Sequence, residues 1–404
     1  MRERFNLRAV SPGAGRAAVS ENGAEIVKVY RDVFGRNQDC EGQTAGRMSV
    51  TGIEASAHAF EQWQRTRLGP LFVEKDLERK HNKMRKGVFP FLRATYWRWS
   101  EIVFDMLPHW RDASQVLAIG DTHLENFGTW RDAEGRLVWG ANDFDDACVM
   151  PWSLDLVRLA TSAVLAAGED ADIAGICAAI WEGYREGIAA PSPIILDRDR
   201  GWLRTDLVLG DEERKEFWED FDQPPSIIPA SYLSALKASL PSDGGDPVCF
   251  ARQAGTGSLG KPRFVASLAN WRGGPVLREA KGMLPSAWTL FHGGTEAPGV
   301  MEVAQGAFRS PDPCLQIHGD ILVRRLSPNS RKIEAEDKGR LLLRPRMVRM
   351  MGQEIANCHA SDIARAAAVR AEVMARSGDW LEPDARTMAK VVAKDQNDFA
   401  SSGG

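Results

Sequence analysis

Asp121 and Asn126 stand five residues apart in the run Gly120-Asp121-Thr122-His123-Leu124-Glu125-Asn126, and a second acidic run, Asn142-Asp143-Phe144-Asp145, follows it. A carboxylate, a carboxamide and two more carboxylates in that order suit transfer of a phosphoryl group from a nucleotide. Such a reaction asks for in-line positioning, a base beside the attacking hydroxyl, and a divalent metal to neutralise the phosphates. Asp121 is the candidate base. Asn126 and Asp143 are the candidate ligands of Mg2+, a hard cation that takes oxygen donors and needs only one or two carboxylates, with Asp145 as a further metal ligand. His123 joins the catalytic set as a group that orients the loop or contacts phosphate, although an isolated histidine is more often a structural hydrogen-bonder. Asp155, in the first turn of a helix that begins at Trp152-Ser153, is expected to brace the catalytic loop from beneath by satisfying its backbone donors. Asp146 reads as a solvated turn residue. Gly, Asp and Asn also dominate plain turns. The catalytic reading is favoured because both runs occur, in order, each just after a short apolar strand.

A second signal is Gly255-Thr256-Gly257-Ser258-Leu259-Gly260. In a dinucleotide-binding unit this spacing joins a strand to a helix, but here strand-like sequence flanks it on both sides, at 248–253 and 263–269. Strand–loop–strand suits a flap whose bare backbone covers nucleotide phosphates; a plain hairpin with flexible glycines is the alternative. The cation that reaches those phosphates should lie on the following strand, where Arg278 and Lys281 are the candidates. With a two-residue period they occupy opposite faces, so only one points into a cleft. The sequence leaves that choice open.

These groups need elements to hold them. Helical periodicity predicts a helix from 53 to 63 and another opening at 89–93 and closing at Pro108. Short strands are expected at 115–119 and 137–141, with a turn at 132–135. Helices follow at 153–167 and 173–188, then a Pro-, Asp- and Gly-punctuated stretch, 190–245, with one helix at 231–240. Strands are expected at 248–253, 263–269, 276–280 and 320–326, and helices after 338. Residues 1–50 read as a flexible arm with a short helix at 24–34, 51–245 as a helical catalytic lobe, 246–330 as a β-rich nucleotide-covering lobe, and 331–404 as C-terminal helices packed on the catalytic lobe.

A 404-residue chain with 44% hydrophobic and 26% charged residues is ample for a buried core. Its net charge of -4 gives no global reason to bind nucleic acid or an anionic membrane. Apolar stretches such as 160–167 fall short of the ~18–20 residues of a membrane span. Six scattered cysteines without a C-x-x-C pair fit a reducing compartment and do not suggest a zinc site. A soluble, cytoplasmic protein is the expectation.

The Gly120–Asn126 run is similar to the G-D-x-H-x-x-N loop of aminoglycoside phosphotransferases and choline-kinase-like enzymes, and Asn142–Asp145 resembles their I-D-[FW] metal segment, with Asp155 where they carry a helix aspartate. From about Arg79 onward the chain also resembles the bacterial domain-of-unknown-function 2252 family. The features that carry this are Lys83-Met84, Phe89-Pro90-Phe91-Leu92-Arg93, the runs at 120–128, 142–146, 152–162 and 255–260, Arg278-Glu279-Ala280 and Val323-Arg324-Arg325-Leu326. The resemblance implies an α+β, protein-kinase-like two-lobe fold: a mostly helical lobe plus a small antiparallel-sheet lobe. The lobe order is permuted, because the glycine-rich segment follows the catalytic loop. Arg278 departs from the lysine of the family pattern, and the family has no settled substrate. The expected activity is an ATP- and Mg2+-dependent phosphoryl transfer to an unidentified small-molecule hydroxyl. The alternatives are a non-catalytic nucleotide-binding module and a nucleotidyl-transferring or protein-phosphorylating enzyme on the same fold.

Overall fold

The first described helix, α1 (Ile53–Leu68), turns Ile53, Phe60 and Trp63 inwards, as its spacing predicts. The computed structural model describes residues 52–402 except 199, 254, 256–258 and 297–298, and only the backbone of 336–338. The arm expected at 1–50, with its helix, lies outside them. The cationic run that follows forms α2 (Lys75–Lys86), with Leu77, Lys80 and Met84 buried.

The helix expected from 89 to Pro108 is two helices, α3 (Val88–Ala94) and α4 (Tyr96–Met106). Thr95 breaks them: its backbone leaves the helical region at φ -129°, and its hydroxyl donates to the Phe91 carbonyl at 2.7 Å. A threonine that bonds its own backbone competes with helix propagation.

Strand β1 (Gln115–Ala118) pairs antiparallel with β4 (Cys148–Pro151), while β2 (Phe127–Arg131) and β3 (Leu137–Ala141) form a hairpin extended by β5 (Ile194–Ile195). The motif of Asp121 sits in the β1–β2 connection and that of Asp143 between β3 and β4. β2 was not expected. Its first four residues are all buried, so it lacks the alternation that marks a half-exposed strand.

Helices α5 (Ser153–Ala166) and α6 (Ile173–Ala189) follow, then α7 (Gly201–Leu207), α8 (Asp211–Glu219) and α9 (Ala230–Ser239). α8 escaped the sequence reading because it is almost wholly charged and fully buries no residue.

The largest sheet has the order β6-β7-β8-β10-β9, all antiparallel: β6 (Val248–Ala251), β7 (Arg263–Trp271), β8 (Gly274–Gly282), β9 (Gln316–His318) and β10 (Ile321–Leu326). Strand alternation gives it two faces. Ala266, Ala280 and Val323 pack under Tyr232 and Leu236 of α9. On the other face Val265 and Leu277 meet Phe221 and Phe250. Short helices α10 (Trp288–His292) and α11 (Val300–Ala304) lie between β8 and β9.

The chain closes with α12 (Ala335–Leu342), α13 (Pro345–Ala360), α14 (Ile363–Ala375) and α15 (Leu381–Ser401). α13 and α6 approach closely because each offers a glycine. A Cβ at Gly183 would collide with the Arg349 carbonyl oxygen, and one at Gly352 with that of Ile180. The described residues, 52–402, form one compact α+β unit with antiparallel sheets. Among the described residues no helix is long and apolar enough to cross a membrane, and Cys148, Cys177, Cys249, Cys314 and Cys358 are free thiols.

Candidate functional site

The two acidic runs are built against each other. Gly120, just past β1, has φ +90°, and a Cβ there would collide with the Asp146 carbonyl oxygen. Glycine is therefore required both by conformation and by the closeness of the second loop. Asp155, fully buried in the first turn of α5, supports the first loop from below. Its carboxylate accepts the Ile119 N–H (2.8 Å) and the Gly120 N–H (2.9 Å), and its carbonyl accepts the Thr122 hydroxyl (2.8 Å). His359 Nε2 lies 3.0 Å from the same carboxylate, and the Tyr184 hydroxyl lies 2.8 Å from His359 Nδ1. A buried chain from α6 through α13 and α5 thus fixes the loop's backbone.

Arg158, one turn beyond Asp155 on the same helix, holds Asp121. Its Nε and Nη2 donate to Asp121 Oδ1 at 2.9 and 2.5 Å, and Nη2 also reaches the Leu92 carbonyl at 2.9 Å. The guanidinium is buried over the rings of Tyr96 and Trp99. No hydrogen bond from a described residue reaches Asp121 Oδ2. Burial and the nearby Asp143 carboxylate raise the Asp121 carboxyl above its ordinary range, against the pull of Arg158. His123 is buried edge-on to Phe89, and its Nδ1 accepts the Glu125 N–H at 3.1 Å. Burial, with Arg93, Lys332 and Arg158 close by, pushes its basicity well below the usual histidine value, so the ring is neutral with Nε2 as donor.

Asn126 links the two loops. Its side-chain NH2 donates to the backbone carbonyls of Asp121 and Asp143, both at 3.1 Å. Because both partners are acceptors, the amide orientation is fixed, and Oδ1 is left buried without a partner. An unpaired amide oxygen on a residue that lines the same cleft as the Asp143 carboxylate adds an oxygen donor of the kind a hard cation takes. No group of three or more His, Cys, Asp or Glu poised for a metal occurs among the described residues.

Cations from distant segments face the carboxylates. Lys281 on β8 places Nζ 3.0 Å from Asp143 Oδ1 and 2.6 Å from Asp145 Oδ1. Lys261 lies 3.5 Å from Asp145 Oδ2, and Lys332 4.0 Å from Asp143 Oδ2. Burial alone would raise the Asp143 carboxyl, but Lys281, Lys332 and Arg324 outweigh it and hold that group well below the usual carboxylate range. Lys332 is lowered to about 8 by burial and by the neighbouring Arg324, Arg93 and Lys281.

The choice left open between Arg278 and Lys281 is resolved here, and one expectation is corrected. Arg278 does not face the acidic loops: its Nε donates to the Ser239 carbonyl at the end of α9 (3.0 Å) and its Nη1 to the Leu277 carbonyl (2.9 Å). Strand alternation puts it on the α9 face, opposite Lys281. Asp146 is not a solvated turn residue either. It is half-buried, accepts the Ala287 N–H at 2.8 Å, and burial raises it to about 6.

Asp121, His123, Asn126, Asp143, Asp145, Gly255, Lys261 and Lys332 line one cleft. Gly260, with φ +94°, gives its carbonyl to the Val73 N–H at 3.0 Å; Thr256, Gly257 and Ser258 lie outside the described residues. Sequence reasoning missed Arg158, although Asp155 and Arg158 at a three-residue spacing already share a helix face. It also missed Lys261, Lys332, His359, Tyr184 and Arg309. Arg309 covers the Phe144 ring at 4.7 Å and donates to the Ala141 carbonyl at 2.6 Å, steadying the second loop. No local pattern marks these residues, because each arrives from far along the chain.

Residues 72–200 match the model of a family described as an uncharacterized protein conserved in bacteria (DUF2252). That span holds both acidic runs, Asp155 and Arg158. No curated protein and no solved structure matches the chain.

Proposed function

We propose that this protein is a cytoplasmic, ATP- and Mg2+-dependent phosphotransferase that acts on a small-molecule hydroxyl, on a protein-kinase-like two-lobe fold with permuted lobe order. The observation that carries the reading is the Asn126 carboxamide. It ties the base loop to the metal loop and leaves an unpaired oxygen on a residue lining the cleft that Asp143 also lines, while Lys281 pairs with Asp143. Further support comes from the large sheet. The glycine-rich segment joins β6 to β7, and Lys281 stands on β8, the third strand counted from β6, which is where kinases carry their phosphate-binding lysine.

In this reading Asn126 and Asp143, with Asp145, would hold Mg2+, which would offset the charge of the nucleotide phosphates. Asp121 takes the proton of the attacking hydroxyl at Oδ2, while Arg158 fixes Oδ1. Asp155, through His359 and Tyr184, keeps the loop rigid, and His123 offers a neutral N–H. Arg278, which departs from the lysine of the family pattern, bonds the Ser239 carbonyl on the face of β8 away from the acidic loops.

Isothermal titration of ATP with Mg2+ into the wild type and Asp143→Ala tests the proposal. Heat of binding in the wild type, lost in the variant, is expected; equal heats, or none in either, would overturn it. Mass spectrometry after incubation with α- and γ-labelled ATP separates phosphoryl from nucleotidyl transfer.

A further inference from the structure

A second chamber borders Asp121 and shares Arg93, Asp121, Asp146 and Lys261 with the cleft. Its remaining walls differ in kind. Phe60 stacks on Trp63 at 5.4 Å and on Trp97 at 5.2 Å, and Gln64 stands beside them, all from α1 and α4. The two indoles and the amide are almost wholly buried, yet Trp63 Nε1, Trp97 Nε1 and Gln64 Oε1 find no hydrogen-bond partner in the protein. Native interiors rarely leave polar atoms in that state, and three in one wall need an explanation.

We propose that this chamber is the acceptor site and that it takes a small, uncharged, polyhydroxylated molecule of the sugar or cyclitol type. Two N–H donors and one carbonyl acceptor call for a ligand that both accepts and donates, as hydroxyl groups do. Flat aromatic walls suit the C–H face of such a ring. Charge selects against the other classes. A cationic acceptor would meet Arg93 and Lys261. An anionic one would meet Asp121 and Asp146.

The assignment rests on the phosphotransfer reading for its chemistry. The acceptor O–H gives its proton to Asp121, and its oxygen forms the new O–P bond to the γ-phosphorus of the nucleoside triphosphate. The bridging P–O bond breaks, and its electron pair leaves with the diphosphate.

Binding is measured without nucleotide, so that its outcome and that of the ATP titration are independent. Neutral monosaccharides and cyclitols, amino alcohols and hydroxy acids are screened by thermal shift and then by titration, against the wild type, Gln64→Leu and Trp97→Phe. Trp97→Phe removes the indole N–H and keeps an aromatic wall, which guards against a misfolded Gln64→Leu. A neutral polyol should bind the wild type and bind each variant about tenfold more weakly. Binding of charged classes alone, of no class, or of polyols equally by all three proteins would overturn the assignment. If ATP binds and polyols do not, this inference fails and the nucleotide reading stands.

Discussion

The two cavities that meet at Asp121 differ in what lines them beyond the residues they share. In the cleft nearly every charge has a partner: Lys281 bridges Asp143 and Asp145, and Arg158 grips Asp121. In the chamber the walls contributed by α1 and α4 are aromatic, and Trp63 Nε1, Trp97 Nε1 and Gln64 Oε1 are unpartnered. A cleft of balanced ion pairs exchanges one counter-ion for another at modest cost, as binding a metal and phosphates requires. A chamber with orphaned donors gains most from a neutral, hydrogen-bonding guest, because burying an unpaired polar group is costly and burying an unpaired charge more so.

The largest effect should come from the residue the two cavities share. Asp121→Asn is expected to lower turnover by about 10²–10⁴-fold while the ATP heat persists, as loss of a general base does. Unchanged turnover would remove the reaction from this boundary altogether. Within the cleft, Lys281→Met should weaken ATP binding by roughly 10–100-fold, the size of a lost charge-assisted hydrogen bond. Arg278→Lys should leave the titration unchanged, since that residue faces α9. Equal effects of the two would show that the faces of β8 do not divide the work.

The chamber wall and its surroundings offer smaller and pH-dependent tests. Burial lowers Lys80 to about 8 from an ordinary value of 10.5. Between those values the unfolded chain holds a proton that the folded protein has released, so wild-type stability rises with pH across the window. Lys80→Met lacks that rise. Its stability advantage should be greatest at pH 7, roughly 2 kcal/mol, and should fade towards pH 10.5, as followed by urea unfolding at each pH. Smallest of all, Gln64→Leu should stabilise the ligand-free protein by about 1 kcal/mol, or roughly 2 °C in Tm, because it deletes an unsatisfied oxygen. A loss of stability would mean that Gln64 is already satisfied and the chamber less vacant of partners than its walls suggest.

The fold was legible where local rules act alone. The stripes of α1, α5 and α6 and the strands around the glycine-rich segment follow from periodicity. Where tertiary burial overrides pattern, as in all-buried β2, or where no apolar stripe exists, as in charged α8, periodicity is silent. Thr95 splits α3 from α4 through one side-chain bond that no window average detects.

The candidate site divides in the same way. The sequence alone supplied Asp121, Asn126 and Asp143 as chemically apt groups at short spacing. It also required that Arg278 and Lys281 face opposite ways, because a strand's period is two. Only the packed structure decided which of them meets the carboxylates, since that depends on α9 covering one face of the sheet and the acidic loops lying by the other. His359, Tyr184 and Lys332 likewise join the site from far along the chain. A side chain's type is written where it stands, but its partner is chosen by the burial of segments that the sequence keeps apart.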